Sequence, residues 1–125
     1  MNTPRPTVYI VQDKAGINFT PARAHGDLLF LLPPGTLYTD STVTKARLLK
    51  GLKDIKDGDF LVLTGDPEAM ALAYTAAMLL NNGRVRVLKW DNQCHVYNVV
   101  QHDWNAAMDA IESESARVLA REEAK

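Results

Sequence analysis

The stretch that most constrains this chain runs Asp59-Phe60-Leu61-Val62-Leu63-Thr64-Gly65-Asp66-Pro67 and continues as a helix to Leu80. Phe60 to Leu63 is an unbroken apolar run between turn residues, the pattern of a strand buried on both faces. Gly65 ends the strand and Asp66 carries the oxygen an N-cap needs. Pro67 suits the first helical position, where its missing N–H costs nothing. No charge follows Glu68 up to Leu80, so this helix is expected to be covered on two sides. Ala69, Ala73 and Ala77 form a flat strip that lets its backbone approach a sheet. Met70, Tyr74 and Met78 form an adjoining strip that needs a cover of its own.

The remaining segments fit around that centre. Thr7 to Gln12 is β-branched and aromatic, with Pro6 before it, and reads as a first strand. Asp13 to Gly26 is a long connection that Phe19 is expected to pin to the body. Asp27 to Leu32 is a second strand of continuous apolar character, ended by Pro33-Pro34-Gly35. Ser41 to Ile55 has helical period, with Ser41 as N-cap and Leu48, Leu49, Leu52 and Ile55 on one face. Gly51 inside it points to a close contact. Asn81-Asn82-Gly83 is a helix stop with Gly83 at the left-handed cap. Arg84–Trp90 and His95–Val100 then read as an antiparallel hairpin. A last helix starts at Asp103, its N-cap, and carries an apolar stripe through Trp104, Ala107, Met108, Ile111, Val118 and Leu119.

The order β-β-α-β-α-β-β-α implies a single Rossmann-like α/β domain over residues 1–125. Its sheet has about five strands and is mixed, with parallel central strands, a C-terminal antiparallel hairpin and three helices. A chain of 125 residues suffices for one core. The longest mostly apolar segment, Pro67 to Leu80, is shorter than the roughly 20 residues a membrane span needs, so no membrane partner is expected. One cysteine, Cys94, and an N-terminus without an apolar signal segment point to the cytoplasm.

The candidate chemistry is sparse. Thr64, Gly65 and Asp66 lie where open α/β sheets bind ligands, at a strand's carboxyl end and a helix's amino end. Yet Asp66 puts a negative charge where an anion would sit, and neither GxGxxG nor GxxxxGK[ST] is present. A capped helix start is the better reading. Any ligand there would offer a hydroxyl, an amine or a metal-bridged group. Lys45, Arg47, Lys50, Lys53 and Lys56 form a basic face opposed by Asp54 alone. With no aromatic residue interleaved and a net charge of −1, a solvated surface is favoured over nucleic-acid binding. Cys94, His95 and His102 match no zinc spacing, and no metal or other cofactor is expected. His25, Asp40 and Ser41 offer the residue types of a hydrolase triad, but no nucleophile elbow surrounds any serine.

The strip Met70, Tyr74 and Met78 has two possible covers. The C-terminal helix can lie across it within the chain, or a second copy can bury it together with Trp104, Met108 and Ile111. The second is expected: a homo-oligomer, with a dimer the first guess and another protein as an alternative partner. Phe60 to Pro67, together with Gly83-Arg84-Val85 and Leu88-Lys89-Trp90-Asp91, resembles a pattern in short proteins of tailed bacteriophages. The resemblance covers about a third of the chain. It implies expression in a bacterial host's cytoplasm and a role in infection or in the virion, but no activity. The chain is therefore read as a non-catalytic binding or assembly module acting through a protein surface. The alternative is a small, nucleotide-like ligand held at Thr64, Gly65 and Asp66.

Overall fold

The computed structural model describes residues 4–35 and 41–123. In chain order the elements are β1 (Thr7–Gln12), β2 (Asp27–Leu32), α1 (Thr42–Gly51), β3 (Phe60–Val62), α2 (Pro67–Leu80), β4 (Arg84–Asp91), β5 (Val96–Asp103) and α3 (Trp104–Glu123). They form one five-stranded sheet in the order β2-β1-β3-β4-β5. The first four strands are parallel and β5 is antiparallel to β4. This is the expected mixed α/β sheet.

Period-2 alternation along β1 splits the core in two. Tyr9 and Val11 join Leu61, Val85 and Val87 beneath α1 and α2. Val8 and Ile10 point the other way, with Phe60, Val62, Leu88 and Tyr97, and are covered by Phe19 and Ala22 from the β1–β2 connection. That connection holds a short 3₁₀ turn, Thr20–Ala24. Phe19 is buried and meets the Phe30 ring edge-on at 5.7 Å, so it does pin the connection.

In α2 the strip Ala69, Ala73 and Ala77 is fully buried, as its spacing demanded. Asp66 caps the helix, its Oδ1 accepting from the N–H groups of Glu68 (2.8 Å) and Ala69 (3.4 Å). At the far end the Gly83 N–H donates to the Met78 carbonyl at 2.8 Å. Asn82, with φ 54°, therefore takes the left-handed cap position expected of Gly83, which follows with φ 80°.

Three other expectations need correction. Helix α1 ends at Gly51, so Ile55 lies beyond it. Leu48 and Leu52 are buried, but Leu49 is 43% exposed, because the face toward the sheet is narrower than the sequence pattern. Ser41 makes no side-chain cap bond. The contact at Gly51 is real, since a Cβ there would lie 2.9 Å from Leu31 Cδ2. Strand β2 is an edge, so its apolar run does not mean burial: Leu29 and Phe30 remain exposed.

Helix α3 has no buried residue. Only its first turn is tied to the body. The Trp104 N–H donates to the Gly83 carbonyl (2.9 Å), Trp104 Nε1 to the Tyr74 hydroxyl (3.0 Å), and Asn105 Nδ2 to the Asn82 carbonyl (2.6 Å). Asp103 caps it as expected, accepting from the N–H groups of Asn105 and Ala106.

Candidate functional site

The turn after β3 is organised by a residue the sequence reading passed over. Gln12, the last residue of β1, is buried. Its Nε2 donates to the carbonyls of Pro33 (2.8 Å) and Gly35 (2.9 Å). Its Oε1 accepts from the Asp66 N–H at 2.7 Å, and its backbone carbonyl accepts from the Thr64 hydroxyl at 2.7 Å. Gly65 has φ 100°, and a Cβ there would collide with the Gln12 side chain. Thus Thr64, Gly65 and Asp66 are gathered at the point between β1 and β3 where the strand order reverses, and the side chain packed into that point is Gln12. A polar residue closing an apolar strand was the only local signal. Its partners lie 21, 23 and 54 residues away.

Beside this turn the sheet opens. The register between β3 and β4 is set at Leu61–Val87. Strand β3 stops at Val62, whereas β4 runs on to Asp91. The chain after Val62 leans toward β1 through Thr64 and Asp66, and a cleft of about 850 Å³ forms beside β4, from Trp90 and Asn92 at its carboxyl end back to Val87, Val100 and His102. Ile17, Val62, Leu88, Trp90 and Tyr97 give it apolar walls, and Thr64, Lys89 and His102 stand among its polar ones. Trp90 and Tyr97 meet edge to face, with centroids 5.0 Å apart. Burial pushes the Tyr97 phenol above its ordinary value, so it stays neutral over the physiological range.

The other sequence candidates are dispersed. Cys94 and His95 lie at the β4–β5 turn and His102 near the far end of β5, roughly 20 Å along the strand. His95 meets Trp90 edge-on and His102 meets Tyr74. Among the described residues no group of three or more His, Cys, Asp or Glu could hold a metal ion. His25 packs on Phe60, Ser41 precedes α1, and Asp40 lies outside the described residues. Lys45, Arg47, Lys50, Lys53 and Lys56 are all exposed, with Lys56 Nζ 3.6 Å from the buried Asp59 carboxylate. No helix among the described residues is long and apolar enough to cross a membrane.

Of the expected interface residues, Met70, Tyr74 and Met78 are half-buried. Trp104, Met108 and Ile111 are 48%, 56% and 63% exposed. The two sets meet at the root of α3, through Trp104 and Tyr74.

Comparisons with curated proteins and with solved structures found no match. Residues 6–104 match the family described as Phage Pam3 gp32-like protein. The match spans β1 through β5 and closes at the first residue of α3. Since the matched span is well over half of the chain, the protein belongs to the Phage Pam3 gp32-like family, a family of phage proteins.

Proposed function

We propose that this phage protein is a non-catalytic assembly module whose working surface is β5 together with α3, and whose first partner is a second copy of itself. The observation that carries this reading is α3: 20 residues, an apolar stripe, and not one buried side chain. Helix formation is costly to nucleate, and most helices in proteins persist by burying an apolar face. The surface is also lopsided. Among the described residues, nine of the sixteen exposed large apolar side chains fall between Trp90 and Leu119, which supports a working surface in the C-terminal third of the chain.

Strand β5 strengthens the case. It is an eight-residue edge without proline or lysine, the residues that commonly protect an edge from pairing. Val96 and Val99 are 45% and 42% exposed. The α3 stripe and the β5 valines form one apolar surface, and a stable interface takes about 800 Å² from each partner. A stripe that meets its own copy about a two-fold axis is self-complementary without further design.

Far-ultraviolet circular dichroism over a dilution series tests this. The wild-type protein should lose helical signal on dilution as α3 melts free, and Met108→Glu/Ile111→Glu should show the reduced signal at every concentration. A helical signal unchanged by dilution and by the substitutions would contradict it.

A further inference from the structure

Independently of α3, we infer that the cleft at the carboxyl ends of β3 and β4 binds a small, planar aromatic or heterocyclic molecule that carries an acidic group. Three observations lead there. The first is shape. Because β3 ends at Val62 and the following turn is drawn to Gln12, β4 continues from Leu88 to Asp91 beside a gap. That gap measures about 850 Å³, within the range of about 300–1,000 Å³ typical of small-molecule sites. One end of it, at Thr64, Lys89 and Trp90, lies at the carboxyl ends of parallel strands, where open α/β sheets hold their ligands.

The second is the lining. Ile17 and Leu88 give flat apolar contact, and Trp90 and Tyr97 add aromatic surface. Trp90 and Ile17 remain 37% and 39% exposed although they line a concave site. An aromatic ligand would desolvate both at little conformational cost to the protein, because the walls are already in place.

The third is charge. Among the described lining residues there is no aspartate or glutamate, while Lys89 contributes a full positive charge. Asn18, Asn92, Thr64 and His102 supply hydrogen-bonding groups. A cationic ligand would meet no counter-charge here. Lys89 lines the cleft from the opposite face of β4 to Leu88 and Trp90, so an acidic group reaching across the gap would meet it.

The probe is 8-anilinonaphthalene-1-sulfonate, which joins a planar aromatic body to an anion. Its fluorescence titration against the wild-type protein should saturate at one equivalent per chain. Ile17→Glu should weaken binding at least tenfold and Lys89→Glu several-fold, while Ile111→Glu on α3 should leave it unchanged. Both cleft positions are exposed, and equal thermal midpoints would show that the variants are folded. Non-saturating enhancement would overturn the assignment. So would loss of binding in Ile111→Glu with the cleft variants unaffected. The acidic specificity would fall if uncharged N-phenyl-1-naphthylamine bound as tightly and Lys89→Glu changed neither affinity.

Discussion

Gln12 joins three segments that the sequence keeps far apart. Its amide ties β1 to the Pro33 and Gly35 carbonyls and to the Asp66 N–H. No short-range pattern announces such a residue, because polar closure depends on where distant chain returns. Asp66 is the opposite case: a cap read from Gly-Asp-Pro and found bonded to Glu68 and Ala69 N–H. Asp66→Ala should cost about 1 kcal/mol in denaturant unfolding and Asp66→Asn much less, since asparagine keeps the acceptor. Asp91 offers a pH test. The N–H groups of Cys94 and Gln93 hold its carboxyl below the usual range. A carboxyl lowered by folding adds stability that is fully present above its unfolded value, about pH 4, and is lost as pH falls through the folded one. The thermal midpoint of Asp91→Asn should therefore fall less steeply below about pH 4 than that of the wild type.

The elements show why some boundaries were legible and others were not. β1 and β2 begin and end where β-branched and apolar residues meet Pro6, Gly26 and Pro33, so local chemistry sets them. β5 runs past Val100 to Asp103 because its pairing with β4 continues to Arg84, and Gln101-His102-Asp103 carries no local strand signal. Helix α1 is shorter, and its buried face narrower, than its apolar spacing implies. Leu48 is fully buried and Leu49 exposed, although both sit in the same apolar run. Leu48→Ala should cost about 2–5 kcal/mol, the usual range for an emptied core site. Leu49→Ala should stay within about 0.5 kcal/mol, as surface changes do. Equal losses in denaturant unfolding would mean that α1 is rotated from this placement.

For the whole molecule the unresolved matter was never whether an apolar face exists but what covers it. Periodicity located the stripe of α3 and the strip Met70, Tyr74 and Met78, since both follow from spacing alone. Which surfaces pair depends on the third dimension. In the structure a hydrogen bond from Trp104 to Tyr74 joins the two, and α3 buries no residue, so it does not close the core of its own chain. The buried core is completed by α1, α2 and the β1–β2 connection. The candidate cleft, likewise, depends on β3 stopping short of β4, which no run of residues within β4 specifies.

Static light scattering of the purified protein across micromolar concentrations tests the assembly reading most directly. A mass of twice 13.9 kDa or more is expected, falling toward the single-chain value in Met108→Glu/Ile111→Glu. A wild-type mass of 13.9 kDa at every concentration would contradict it.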